Sequence, residues 1–464
     1  MKKGLIMEME VSGEGVEAPP GADTRYGYPE SFDLFTLKPR DLSRESTAVL
    51  YFSPVSQIRP DCPIEFNLPP NSSRYIDVRH IKLYLRLKIT KANGTDIGNT
   101  ERVALINYPI ASLFQQVDLY LQQQLICSSG SGYAYRSILD ALLENDNDDI
   151  KGVLRQGLFF KDSSGSMDSA LLTKEGQQEI NGGFFNRQEF TAGSDIVELQ
   201  GKIHSDFFRQ DRVLLNCVQL TLKMTPSPDS FRLMRPAAAT GETGENYKVQ
   251  IMTALLKVPL IKPTPAMLLG HATGLKSSPA QYPFERTELK SVAIPSGESS
   301  ATVDNIFFSK IPKRVIIGFV KSTAFNGDYT LNPFNFDNFN VKYMCLTIDG
   351  SCMPSRAIQT DFSSDSFLDA YDTLFSIAQD EETGKPRKTT SITRGEYKSG
   401  HFLTVFNIDG SSVGSETINP QTVGLSKLEI KFASALSSGV TIILYSTYNS
   451  LLRIDEARNV NVTG

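Results

Sequence analysis

The sequence predicts an all-β protein built from two eight-stranded β-sandwich rolls, with a few short helices in loops. Two observations lead to this prediction. Short segments of alternating apolar and polar residues recur from Ser46 almost to the end of the 464-residue chain, separated by Gly, Pro, Asn and Asp turns. A stretch rich in proline and glycine at 258–284 divides these segments into two groups of similar length.

These patterns predict five parts along the chain. They are an N-terminal arm (1–45), a first roll (46–260), a linker (261–283), a second roll (284–458) and a C-terminal tail (459–464). The arm is assigned because it is rich in proline and glycine, has mixed charge and lacks alternation. The linker is assigned because prolines and glycines punctuate a stretch where few contacts are expected to cross.

Three segments of the first roll show the strand period most clearly. Apolar residues occupy every second position in 83–89, in 117–121 and in 220–224. Successive side chains of a strand point to opposite faces, so each segment predicts a half-buried strand. A slip in the pattern near Ile81 predicts a β-bulge.

One segment predicts a helix. Residues 133–143 carry apolar side chains at three- and four-residue steps, and the acidic run 145–149 favours the end of that helix. The run does not fit a calcium loop. Counted from Asp146, Lys151 stands where a glycine is required and Gly157 stands where a glutamate is required. A solvated acidic cap is the better interpretation.

Composition excludes several function classes. The chain has 47 Lys and Arg against 52 Asp and Glu, a formal charge of −5, which lacks the basic footprint of a nucleic-acid binder. Residues 1–10 contain a four-residue apolar stretch, shorter than the ~7–15 residues of a secretory signal. No apolar run approaches the ~18–20 residues of a membrane span. We therefore expect no sequence-specific nucleic acid partner, no membrane span and no secretion by a signal peptide.

Five scattered cysteines show no metal-ligand spacing; they are Cys62, Cys127, Cys217, Cys345 and Cys352. Buried free thiols are the expected state, which suits folding in a reducing cytoplasm or nucleus.

Catalytic motifs are also missing from the sequence. The four histidines (His80, His204, His271 and His401) form no metal-binding pattern, and His80 is predicted to be a core residue on the apolar face of a strand. The GxSxG match at 410–414 lies between a strand end and a polar loop, whereas a nucleophile elbow requires a strand followed by a helix. We therefore expect no enzyme activity and no catalytic, cofactor-binding or metal-ligating residues.

A more specific signal comes from short motifs in a fixed order. They are NYPIASLFQQVDL at 107–119, YAYR at 133–136, LFFKD at 158–162, GFFNR at 183–187, VELQGKIHSD at 197–206, FRQDRVLLN at 208–216, FRLM at 231–234, IPKRVIIGFV at 311–320, AFNG at 324–327 and NPFNF at 332–336.

This order resembles the hexon-type major capsid proteins of Polinton/Maverick elements and the related adintoviruses, over residues 45–455. The resemblance implies a double jelly roll, with both rolls in one chain. It implies that three copies form a homotrimer with a pseudo-hexagonal outline, the capsomer of an icosahedral shell. The implied partners are further copies of the chain, a penton protein and minor capsid proteins. The implied location is the virion, after assembly in the cytoplasm or nucleus of the host cell.

Two other functions remain open at this point. A non-catalytic, lectin-like β-sandwich would form a small stable oligomer with a shallow binding site. An enzyme could assemble its site from residues far apart in the sequence.

Overall fold

The computed structural model describes residues 42–171, 180–238, 244–307, 310–376, 390–408 and 423–463. The GxSxG match at 410–414 and residues 1–41 of the predicted arm lie outside the described residues. None of the described helices is long and apolar enough to cross a membrane.

The described ranges contain twenty β-strands and nine α-helices. The strands of the first half are β1 (Arg44–Phe52), β2 (Ile64–Leu68), β3 (Tyr75–Ile76), β4 (Lys82–Lys91), β5 (Ala104–Leu105), β6 (Phe114–Leu121), β7 (Gln124–Ser128), β8 (Val197–Lys202), β9 (Leu220–Pro226), β10 (Leu233–Met234) and β11 (Tyr247–Pro263). The strands of the second half are β12 (Ala280–Ile294), β13 (Ser300–Asp304), β14 (Arg314–Lys321), β15 (Val341–Ile348), β16 (Ser351–Gln359), β17 (Leu403–Asn407), β18 (Ser426–Phe432), β19 (Val440–Ile454) and β20 (Val460–Thr463). The helices are α1 (Pro109–Ser112), α2 (Tyr133–Glu144), α3 (Asn147–Lys151), α4 (Gly182–Glu189), α5 (Asp229–Arg232), α6 (Pro265–Ser277), α7 (Ser322–Asn326), α8 (Leu368–Asp372) and α9 (Arg394–Lys398).

The two halves repeat one sheet topology. In the first half the strand orders are β1-β11-β4-β8 and β2-β9-β6-β7, and β3 adds to the former sheet beside β11. In the second half they are β12-β19-β14-β17 and β13-β18-β15-β16, and β20 adds beside β19. If the eight main strands of each half are counted from one to eight, both halves read 1-8-3-6 and 2-7-4-5. We call the sheet of order 1-8-3-6 the long sheet and the sheet of order 2-7-4-5 the short sheet. Together the two orders give the connectivity of a jelly roll.

The predicted alternation is confirmed where a sheet covers the core on one face. In β9, Leu220, Leu222 and Met224 are fully buried, while the residues between them are partly exposed. In contrast, β19 is buried at every position from Val440 to Tyr448. A strand buried on both faces needs cover from a second layer outside its own sandwich.

The slip near Ile81 is a 3-10 turn and not the predicted bulge. This turn, Val78–His80, separates β3 from β4. It turns His80 away from the apolar face, so the prediction that His80 is a core residue is wrong. Its side chain is 66% exposed, and its Nδ1 lies 2.8 Å from the carboxylate of Asp77.

The segment 261–283, predicted as a linker, forms regular secondary structure along most of its length. It contains the end of β11, the helix α6 and the start of β12. Residues of the predicted tail 459–464 form β20, which pairs with β19. The predicted helix at 133–143 is confirmed as α2, and Asp146 from the acidic run caps the next helix, α3, through a capping box.

The cysteine prediction is wrong for part of the set. Cys345 and Cys352 form a disulfide between β15 and β16, with their Cα atoms 6.3 Å apart. In the hairpin of β15 and β16, Thr347 is the register partner of Cys352, and Cys345 lies two residues before Thr347. The tight turn therefore brings the two cysteines together. Cys62 is a free, exposed thiol and Cys217 is partly exposed, so only Cys127 is a buried free thiol.

Candidate functional site

The helix α2 lies between the two halves and is buried on all sides. Eleven of its twelve residues are buried, including the charged residues Arg136 and Asp140. It follows the fifth main strand of the first half, yet it contacts the long sheet of the second half. Gly132, just before α2, lies against Leu289 of β12, where an added Cβ would come within 2.5 Å of the leucine side chain.

Asp140 is the centre of a buried polar network at this junction. Its carboxylate accepts a hydrogen bond of 2.9 Å from the Tyr445 hydroxyl of β19. It also lies 3.0 Å from Nδ1 of His204 and 2.7 Å from the Arg209 guanidinium. Burial would raise the pKa of Asp140, but the charge of Arg209 and the hydrogen bond from His204 lower it below its ordinary value. The carboxylate is therefore ionised and joins the two halves.

The charges around Asp140 are paired. Arg136 lies 2.6 Å from the carboxylate of Asp206, and both side chains are at most 3% exposed. Arg209 also binds Glu144, at 2.8 Å. Burial would lower the pKa of Arg136, but the neighbouring charge of Asp206 raises it above its ordinary value. Such a cluster is stable only when it is complete, because removing one partner leaves an uncompensated buried charge.

Tyr108, His204 and Asp140 form a chain that has the appearance of a proton relay. The Tyr108 hydroxyl lies 3.2 Å from Nε2 of His204, whose Nδ1 contacts Asp140. All three residues are at most 3% exposed, and burial raises the pKa of Tyr108 far above its ordinary value. A nucleophile or base must reach its substrate, so this geometry serves packing and not catalysis.

Arg187 holds a second polar bridge between the halves. It is fully buried and donates to the carbonyl oxygens of Leu105 (2.8 Å) and Phe160 (2.7 Å) and to the carboxylate of Asp162 (2.8 Å). The other oxygen of Asp162 accepts from the side-chain amide of Asn332 in the second half, at 2.8 Å. Each charged group is thus satisfied, and the bridge fixes one half against the other.

An aromatic cluster fills the junction beside these bridges. Tyr135 of α2 packs against four phenylalanine rings at centroid distances of 5.4 to 6.4 Å; these are Phe231, Phe325, Phe334 and Phe336. Phe231 belongs to the first half and the other three belong to the second. Edge-to-face and stacked pairs of this kind add about 0.5–1.5 kcal/mol each beyond the apolar area that they bury.

The sequence predicted no functional residues, so it missed this junction. Charged residues spaced four apart in a helix of otherwise apolar character, Arg136 and Asp140, were the available signal. Of the other histidines, His271 stacks on Tyr75 and His401 is buried. Among the described residues, no group of three or more His, Cys, Asp or Glu side chains could hold a metal ion.

Gly318 tests how tightly the junction is packed. A Cβ at this position of β14 would lie 2.8 Å from the Phe336 ring and 2.9 Å from Leu403. We expect Gly318→Ala to lower the free energy of unfolding by about 1–3 kcal/mol, because neither neighbour can yield without disturbing the core. Gly270→Ala in α6 is the control. The Cβ that this change adds would have no neighbouring heavy atom within 4 Å, so urea denaturation should show no loss of stability. Equal effects of the two variants would contradict close packing at Gly318.

Protonation of His204 should lower the stability of the protein at acidic pH. Burial lowers its pKa to about 4 from the ordinary value of 6.5, so the unfolded chain takes up the proton first. Stability is therefore lost as pH falls from about 6.5 towards 4, by roughly 3 kcal/mol from this group. Asp140, whose pKa is lowered, stays ionised through this range. Unfolding temperatures across this range should decline less steeply in His204→Gln; an unchanged slope would refute the assignment.

The chain is similar to known proteins in sequence and in fold. No family model matches the chain. An uncharacterized protein of Caenorhabditis elegans is 25% identical over 416 residues, which cover 86% of this chain and 92% of that protein.

Solved structures are similar over nearly the whole chain. The cryo-EM structure of the Sputnik virophage gives a TM-score of 0.63 at 13% identity, covering 95% of this chain and 93% of the other. The capsid of the virus PBCV-1 gives 0.56 at 12% identity, covering 93% and 99%. The mavirus major capsid protein gives 0.51 at 11% identity, covering 96% and 97%. The predicted fold class is confirmed: the chain has the double jelly-roll fold of these viral capsid proteins.

Proposed function

We propose that the chain is a major capsid protein, a non-catalytic subunit that forms homotrimers with a pseudo-hexagonal outline and builds an icosahedral shell. One observation carries this proposal. The same jelly-roll connectivity occurs twice in one chain, and the two rolls are fixed to each other by buried bridges through Asp140 and Asp162. Similarity to viral capsid proteins over more than nine-tenths of the chain supports it.

Two rigidly joined rolls suit a trimer for a geometric reason. Three copies related by a threefold axis present six rolls of similar shape, which approximate a hexagon. A hexagonal outline needs a fixed angle between the rolls of each chain. A junction made of buried ion pairs and aromatic packing, such as that around Asp140 and Tyr135, supplies this rigidity.

The Polinton/Maverick–adintovirus relationship is part of the proposal. It is supported by the place of the motifs in the fold, because many of them supply junction residues. YAYR contains Tyr135 and Arg136, VELQGKIHSD contains His204, and NPFNF contains Asn332. A penton protein, minor capsid proteins and location in the virion follow from the same proposal.

The proposal is tested by the oligomeric state of the purified chain. Sedimentation velocity at micromolar concentration should show a species of three times the mass of one chain. A chain that stays monomeric at this concentration would contradict the proposal. A stable dimer that binds immobilised glycans would favour the lectin-like alternative in its place.

A further inference from the structure

One face of the second long sheet is covered inside the chain, whereas the corresponding face of the first is open at β1 in the part of the chain that the structure describes. In the second half, Leu289 and Tyr445 of this face contact the segment around α2. In the first half, the residues of β1 on the matching outer face are exposed, 51% for Val49 and 60% for Tyr51. Because both halves share one topology, the covered face shows how the open one can be packed.

The open face combines aromatic and basic side chains. The ammonium group of Lys257 lies over the rings of Tyr51 (5.6 Å) and Tyr84 (5.4 Å). Lys82 is the register partner of Lys257 and therefore points to the same side of the sheet. We call Val49, Tyr51, Lys82, Tyr84 and Lys257 the open face. Aromatic side chains are enriched at the centres of protein interfaces. The ammonium groups of Lys82 and Lys257 give the open face a positive charge.

The second half offers a segment of opposite charge at the matching topological position. In the first half, the connection between the fifth and sixth main strands contains α2 and covers the neighbouring long sheet. In the second half, the described stretch 361–372 of the same connection exposes four carboxylates, at Asp361, Asp365, Asp369 and Asp372, of which Asp365 pairs with Lys398. The side chain of Leu368 in this stretch is 58% exposed. We call 361–372 the acidic segment.

We infer that the open face of each copy is covered by the acidic segment of a second copy, so that the intrachain junction is repeated between chains. The inference rests on the proposed function and assigns its subunit interface. The contact joins two different surfaces, and such a head-to-tail contact closes into a ring when the rotation permits. Opposite charges select this pairing over contacts between like surfaces, and the apolar groups Tyr51 and Leu368 add buried area.

Charge exchange tests the interface. The double variants Lys82→Glu/Lys257→Glu and Asp369→Lys/Asp372→Lys each place like charges across the contact. Each should raise the concentration at which trimers dissociate by at least about tenfold in sedimentation velocity experiments. Mixing the two double variants would leave at least one of the three contacts mismatched in every trimer, so the restoring experiment combines all four substitutions in one chain. That chain should regain trimers near the wild-type concentration.

Lys427→Glu is the matched control, since Lys427 is an exposed lysine on the short sheet of the second half. It should leave the dissociation concentration unchanged. An unfolding temperature equal to that of the wild type would show that a variant chain is folded. If the wild type forms trimers and both double variants dissociate at the same concentration as the wild type, the interface is overturned and the proposed function stands. A folded four-substitution chain that stays monomeric also overturns the interface. A monomeric wild type overturns both.

Discussion

Replacing Asp140 by asparagine should lower the free energy of unfolding by about 3–5 kcal/mol. The amide occupies the same volume, but it removes the charge that offsets Arg209 and contributes to the field around Arg136. It also places an N–H group where the Tyr445 hydroxyl or His204 now donates. Urea denaturation followed by circular dichroism measures the effect as a shift in midpoint at constant slope.

Asp304→Asn is the matched control for this experiment. Asp304 ends β13 and is exposed, so the same chemical change should alter stability by less than about 0.5 kcal/mol. If Asp140→Asn is as mild as the control, the network does not hold the two halves together in the way that its distances indicate.

Arg187→Met should cost a similar amount, about 3–5 kcal/mol, for a different reason. Methionine fills much of the space but provides no hydrogen-bond donor. Three acceptors would be left buried without the arginine: the carbonyl oxygens of Leu105 and Phe160 and one carboxylate oxygen of Asp162. The amide of Asn332 would remain the partner of a buried carboxylate that has lost its cation.

The control for Arg187 is Arg453→Met on β19, where the side chain is exposed. It should leave the urea midpoint nearly unchanged. Arg187 holds Asp162, and Asp162 accepts the hydrogen bond from Asn332 of the second half, so the effect should again be a lower urea midpoint at constant slope. A midpoint like that of the control would contradict the role of Arg187 in this bridge.

The sequence was sufficient to predict the architecture because strands and turns are encoded locally. The alternation at 220–224 and the helical period at 133–143 each show within a single short segment, and the structure has β9 and α2 at these places. The slip near Ile81 correctly predicts an irregularity. The predicted bulge is wrong, because a short 3-10 turn and a bulge interrupt a two-residue period in the same way.

The junction could not be predicted from the sequence because it depends on contacts between distant residues. Asp140 and Tyr445 are 305 positions apart, and Asp162 and Asn332 are 170 apart. No local period marks such partners. The disulfide between Cys345 and Cys352 was missed for a related reason: only the hairpin register brings these two residues together.

Several motifs of the resemblance nevertheless contain junction residues. The structure places Phe334 and Phe336 of the motif NPFNF in the aromatic cluster between the halves. Arg187 of GFFNR and Asp162 of LFFKD meet in one buried bridge. The motifs that carry the resemblance thus describe how two rolls are joined, which is the property that a capsomer needs.

The most direct test of the central claim is a cryo-EM reconstruction of the purified oligomer. We predict a threefold particle in which six rolls form a pseudo-hexagonal ring, with the outer face of each first long sheet, including Tyr51, buried against the neighbouring chain. A monomer, or an oligomer whose symmetry is not threefold, would contradict it.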